Sequence, residues 1–326
     1  MSAAPLVTLL SLGGTIAAPV DERGGGATIT LTADDIVRDL AARAGVTVEA
    51  RTFRQLPSAS PGFADIVELA AAIDAAHESA GVVVTLGTDS LEEVAYALDL
   101  LLHRDAPVVV TCAMRNAGAP GADGAANLLA SLRVASSATA RGLGVVVVAN
   151  DEIHLARYVS KTNSSSPSTF DSRNVGRVGW VTEGKVRVPL ARRHRPPRLA
   201  AGEAVPAVGL VRVSLDDDPA VLLAVAGTGL SGLVVEAFGG GHVNARAVEA
   251  LAAIATTIPV VYVSRTGEGD VYQSTGAFPG SERDLLEASL IPGGAFDGLK
   301  ARVLLALLLA AGASRVEIAE RFAESD

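Results

Sequence analysis

The sequence predicts an α/β fold, with a larger N-terminal domain whose mostly parallel sheet is flanked by helices and a smaller C-terminal parallel α/β domain. Three observations carry that expectation. Short runs of β-branched residues, Val82-Val83-Val84 and the valine-rich stretches within 106–114 and 145–150, suit strands covered on both faces. Stretches with apolar residues at helical spacing alternate with these runs, as strand-helix-strand units require. Residues 191–206, ARRHRPPRLAAGEAVP, have no periodicity and are rich in Pro, Arg and Ala, so they read as a linker. The expected division is an N-terminal domain over 1–190, that linker, and a C-terminal domain over 207–326.

Leu6 to Leu10 is a short apolar strand that enters Ser11-Leu12-Gly13-Gly14-Thr15-Ile16-Ala17. The glycines permit a positive φ or a close approach of the backbone to a ligand. Three readings of this turn stay open. It is an ordinary turn after a first strand, or a nucleotide-binding turn that lacks both G-x-G-x-x-G and a P-loop lysine, or the seat of a nucleophile. In the last case Thr15 presents its hydroxyl at a strand end, beside turn amides that can stabilise an oxyanion. Pro19 to Thr30, with three consecutive glycines, reads as a long loop able to act as a lid. A short helix is expected over 32–44, capped by Thr32 with Asp35 three residues on, then a strand over 46–53, a hydroxyl-rich turn over 56–61 and a helix over 65–79.

The stretch from Gly81 to Leu102 is the most informative. Its valine strand should end near Thr85, and Ser90 followed by Glu93 spells a capping box. Leu91, Val94, Ala95, Leu98 and Leu102 then recur at helical spacing, so a helix begins near Ser90. Between strand and helix, Thr88 and Asp89 place a hydroxyl and a carboxylate at the C-terminal edge of a sheet, where open α/β folds bind ligands. Taken alone, the same two residues also read as turn and cap groups.

A further strand over 106–114, a loop over 115–124 and a helix over 125–138 repeat the unit. A strand over 145–150 leads through 153–159 to Ser160-Lys161-Thr162-Asn163. Lysine occurs only at Lys161, Lys185 and Lys300, which narrows any search for a functional amine, although a lone lysine is ordinarily a solvated side chain. Residues 180–188 read as a hairpin around Glu183-Gly184. Past the linker, strands over 208–213, 232–238 and 258–264 alternate with helices over 219–226, 244–256 and 299–311.

Composition narrows the partners. A net charge of -9 with a pI near 5.1, and no basic cluster beyond ARRHRPPR, argues against nucleic acid and for a small molecule. The longest strongly apolar run, Val303 to Ala311, is far short of the roughly 20 residues a membrane span needs. The N-terminus lacks a basic n-region, so a cytoplasmic protein is the simpler expectation. Its single cysteine, Cys112, forms no intrachain disulfide and reads as core. Five scattered histidines without a helical carboxylate companion argue against zinc.

Taken together, LLSLGGTIA, VVVTLGTDSLEEVAYALDL, AMRNAGAPGADGAANL and SKTNSSSPSTFDS, in that order, resemble the bacterial-type L-asparaginase and glutaminase-asparaginase family. The later VVYVSRTGEGDVY and LKARVLLALLLAAG segments look similar too, so the resemblance covers nearly the whole chain. It implies an amidohydrolase that converts L-asparagine to L-aspartate and ammonia without metal or organic cofactor. By the same resemblance, Thr15 is the nucleophile that forms a β-acyl-enzyme, and Thr88, Asp89 and Lys161 are a second catalytic group. Gly14, Ser58, Thr88, Asp89 and Ala113 contact substrate, and the protein is a homo-oligomer, a dimer or tetramer in which the C-terminal domain completes a neighbouring subunit's site.

On physical grounds a lysine acts as a base only where its environment lowers its proton affinity, and a carboxylate beside it acts in the opposite sense. Asp89 is therefore expected to hold the substrate α-ammonium, with Ser58 and the helix start at Ser90 on the α-carboxylate. Three departures from the family pattern stand out. The loop 19–30 has no tyrosine, with Glu22 or Arg23 near its place; Ala59 follows Ser58 where glutamine is common; and His242 follows Gly239-Gly240-Gly241 where the family often offers asparagine. A glutaminase-asparaginase of broader amide specificity, and a weakly catalytic amino-acid sensor, are the alternatives.

Overall fold

The computed structural model describes residues 3–19, 26–192, 195–202 and 204–324, in two compact units, Met1–Arg198 and Leu199–Asp326. In the first unit β1 (Leu6–Gly13), β2 (Thr47–Leu56), β3 (Gly81–Thr85), β4 (Val108–Thr111) and β5 (Val145–Ala149) are parallel neighbours. After them come β6 (Glu152–Leu155), a separate antiparallel pair β7 (Val159–Lys161) and β8 (Phe170–Ser172), then β9 (Gly179–Thr182) and β10 (Lys185–Arg187). The eight-stranded order is β10-β9-β6-β5-β4-β3-β1-β2, and β5-β6, β6-β9 and β9-β10 are antiparallel. The predicted hairpin turns at Glu183 and Gly184, both at positive φ (48° and 75°), as a two-residue hairpin turn requires.

Strand order β2-β1-β3 reverses direction at β1. The crevice at such a switch lies at the carboxyl ends of the two strands that part there, β1 and β3. Their register pairs Ser11 with Thr85, so the segments that follow Gly13 and Thr85 leave the sheet side by side. The valine runs are covered on both faces as expected: Val82, Val83, Val84, Val109 and Val146 have no exposed surface.

Helices α1 (Ala33–Val37) and α2 (Leu40–Ala44) replace the single helix expected over 32–44. The Thr32–Asp35 capping box is present, but Arg38 and Asp39 turn the chain between the two short helices. The third helix, α3 (Phe63–Ala75), starts earlier and ends earlier than expected. α4 (Leu91–Leu101) begins after Ser90 as anticipated, yet the predicted capping box is not its cap. Ser90 makes no side-chain cap bond and donates its hydroxyl to the Ser58 carbonyl at 2.6 Å. α5 (Gly124–Ala135) completes the β4 unit.

The end of this unit is docked by charge. Asp99 on α4 is buried and accepts from Arg192 Nη1 at 2.8 Å and from the Val145 amide at 3.0 Å. Arg195 donates to the Leu102 carbonyl at 2.6 Å. Two arginines of ARRHRPPR are thus spent on the α4 surface; His194 and its neighbour at 193 lie outside the described residues.

The second unit carries β11 (Val208–Arg212), α6 (Pro219–Ala226), β12 (Gly232–Ala237), α7 (Ala245–Ala255), β13 (Val260–Ser264), α8 (Glu282–Glu287), β14 (Ile291–Pro292), α9 (Gly298–Ala310) and α10 (Arg315–Ala323). Its four strands pair in chain order and all are parallel. Asn244 caps α7 and Asp218, before Pro219, caps α6. Among the described residues no helix is long and apolar enough to cross a membrane.

Candidate active site

At the end of β1 the chain turns through Gly13 and Gly14, both at positive φ, into a 3-10 turn, Thr15–Ala17. Gly14 is packed against the loop after β3 so closely that a Cβ would lie 2.3 Å from the Gly87 nitrogen. Gly87 in turn abuts Ser58, whose Cβ would stand 2.1 Å from a side chain there. Backbone thus meets backbone between the Thr15 turn, the Thr88 loop and the Ser58 turn, and only glycine permits it.

Three of the expected site residues meet through side chains. Lys161, at the end of β7, donates from Nζ to Thr88 Oγ1 at 2.8 Å and to Asp89 Oδ1 at 2.7 Å. Ser58 donates its hydroxyl to Asp89 Oδ2. In this arrangement Ser58 and Lys161 both serve Asp89. Lys161 holds the Asp89 carboxyl below its ordinary value, with Ser58 adding to the effect. Thr88 is buried and Lys161 nearly so, whereas the Asp89 side chain is 56% exposed and open to a ligand.

The turn that carries Thr15 adjoins this group through the Gly14–Gly87 backbone contact. Ala113, fully buried after β4, lies on the other side of that turn: a Cβ on Gly124 would touch both Ile16 and Ala113. Of the loop 19–30, residues 20–25, with Glu22 and Arg23, lie outside the described residues. Ala59 is exposed beside Ser58. In the second unit His242 Nε2 stands 3.1 Å from Glu282 Oε2, edge-on to Phe278 and Tyr272. Cys112 is core as expected, its thiol pushed up by burial.

Several supporting residues were not picked out from sequence. Glu92 in the first turn of α4 accepts the Lys161 backbone amide at 3.1 Å. Asp123 accepts from the amides of Met114, at 2.9 Å, and Arg115, also at 2.9 Å, and fixes the loop that carries Ala113. Asn127 donates to the Cys112 carbonyl at 3.1 Å and accepts the Asn150 amide at 2.9 Å. A helix beginning Asp-x-x-x-Asn just after a strand loop was the available signal for the last two.

Chemically, the edge offers one hydroxyl on a glycine turn, a second hydroxyl within proton-transfer distance of an amine, and an accessible carboxylate. Known proteins carry the same arrangement of domains. A family model described as the asparaginase N-terminal domain matches residues 6–193, and one described as the glutaminase/asparaginase C-terminal domain matches 207–322. An L-asparaginase of Bacillus licheniformis is 34% identical over 93% of this chain and 95% of its own length. A probable periplasmic L-asparaginase of Haemophilus influenzae is 35% identical over 74% of this chain and 70% of its length. The crystal structure of a probable cytoplasmic L-asparaginase from Campylobacter jejuni, 27% identical, superposes with a TM-score of 0.87 over 98% of this chain and all of that one. With both domains matched in order and a relative 34% identical aligned over nearly its whole length, the chain belongs to the bacterial-type L-asparaginase family.

Proposed function

We propose that this protein hydrolyses L-asparagine to L-aspartate and ammonia, with Thr15 as nucleophile. The observation that carries the reading is the Lys161 bridge, 2.8 Å to Thr88 Oγ1 and 2.7 Å to Asp89 Oδ1, at the strand edge that Thr15 shares. Thr15 Oγ attacks the side-chain amide carbon, the C–N bond breaks, and ammonia leaves with the proton the hydroxyl gave up. The resulting ester is cleaved by water. The Thr15 turn amides supply the oxyanion donors for both steps.

Asp89 binds the substrate α-ammonium, which suits its exposure and its low proton affinity. A carboxylate beside an amine favours the ammonium form, so a substrate ammonium that takes up Asp89 removes that bias. Lys161 is then free to take the Thr88 proton, so that Thr88 can in turn take one from the attacking water, and the lysine hands its proton to the leaving group. Gly14 and Ala113 wall the carboxamide, and Ser58 moves between Asp89 and the substrate carboxylate. No cofactor enters this chemistry.

The domain division proposed is a catalytic N-terminal domain over 1–190, a linker over 191–206 and a C-terminal domain over 207–326 that completes the site of a second copy. A homodimer or homotetramer follows, checked by light scattering. A cytoplasmic location is proposed, supported by the name of the Campylobacter jejuni neighbour, although the Haemophilus influenzae relative is named periplasmic.

Glutaminase activity is the competing reading, favoured by the description of the C-terminal family model. An extra methylene changes a pocket's discrimination by about 1–3 kcal/mol. Comparing kcat/KM for L-asparagine, D-asparagine and L-glutamine tests it: asparagine is expected to lead, and equal values for glutamine make the enzyme a glutaminase-asparaginase. Tight binding of asparagine without ammonia release would make it a sensor instead.

A further inference from the structure

The strand that ends in Lys161 and its partner are not part of the large sheet. Among the described residues β7 and β8 pair only with each other, so no ladder of backbone bonds sets their position against β3 and α4. Glu92 of α4 holds the Lys161 amide, and a buried side-chain bond joins the hairpin to the main sheet. His154 on β6 is 1% exposed, and its Nδ1 lies 2.8 Å from the Oγ of Ser172 on β8, itself 3% exposed.

We propose that His154 is a positioning residue for Lys161, acting through Ser172 to pin the lysine hairpin to the main sheet. The inference rests on the catalytic role proposed for Lys161. Register gives the pin its leverage. Ser172 pairs with Val159 and Phe170 pairs with Lys161, which puts the bond two residues, roughly 7 Å, along the strand from the lysine's partner. A slip of one residue would turn Lys161 to the opposite face of its hairpin. Such a slip would also strand a buried imidazole and a buried hydroxyl without partners, a cost that fixes a single register.

The surroundings define the sense of the bond. Glu152 Oε2 stands 3.5 Å from His154 Nε2, and Arg177 engages the other Glu152 oxygen. Burial lowers the His154 pKa, against the opposing charges of Glu152 and Asp171, so the ring is neutral with one nitrogen donating. A carboxylate only accepts. The proton therefore sits on Nε2, and Nδ1 accepts from the Ser172 hydroxyl.

The test is steady-state ammonia release by His154→Leu, Ser172→Ala, the double variant, His154→Asn and Lys161→Met, with thermal melting of each. Removing either end of the pin is expected to lower kcat by about three- to tenfold while KM moves less. The double variant should be no worse than the poorer single one, because both remove the same bond. His154→Asn, whose side-chain oxygen can accept from Ser172, should recover most of the rate. Melting temperatures that fall with kcat unchanged, or losses that add in the double variant, would overturn the proposal. Loss in Lys161→Met alone would discard the pin and keep the lysine. Full activity in Lys161→Met would discard the lysine's role, and the pin's purpose with it.

Discussion

The proposed chemistry turns on Asp89. Its carboxyl is lowered first by the Lys161 hydrogen bond and then by Ser58. A group whose folded pKa lies below its unfolded value contributes stability above that unfolded value, 3.8 for Asp, and loses it as pH falls through the folded one. Asparagine KM should therefore stay flat on acidification to about pH 4 and rise only below it. Asp89→Asn should raise KM by about ten- to hundredfold at neutral pH, the worth of a charged hydrogen bond, as steady-state kinetics would measure. Ser90 was misread for a physical reason. Its hydroxyl had two uses, a helix cap and the Ser58 carbonyl, and only the folded chain brings the second within reach. Thr88 and Asp89 were legible as an edge pair, but their partner Lys161 comes from 73 residues downstream of Thr88. Spacing carries no sign of such a contact, and only the family resemblance joined them.

At the scale of elements, the site is a meeting of three turns whose separation is set by glycine. Gly87→Ala should push the Ser58 turn and the Thr88 loop apart, lowering kcat/KM at least about tenfold. Gly62→Ala, where a Cβ meets nothing closer than 3.8 Å, is the matched control and should leave kcat/KM within about twofold. Farther from the site, Asp99 neutralises Arg192 with both side chains buried, at 3% and 7% exposure. Asp99→Ala should cost about 3–5 kcal/mol by urea unfolding, because it leaves a buried guanidinium without its carboxylate. Strands of consecutive valines and helices with clear apolar periodicity were readable from sequence. α8 has six residues and β14 two, too short to show a period. α10 was readable in principle, since Ser314 and Glu317 form a full capping box before an amphipathic turn.

Over the whole molecule, the reversal of strand order at β1 singles out one edge of the larger sheet, in a chain that matches an L-asparaginase over most of its length. Chain order alone predicted the α/β class. It did not predict where the reversal falls, because that is a property of pairing among strands far apart in sequence. The Lys161 bridge and the Thr15 turn meet at that reversal, so the threonine mechanism can be tested at one atom. The most direct measurement is ammonia release from L-asparagine by the unaltered protein and by Thr15→Ala, each shown to be folded by circular dichroism. The threonine mechanism predicts steady release by the former and a fall of about a thousandfold or more in the latter, the scale expected when a nucleophile is removed. Equal rates in the two proteins would contradict it.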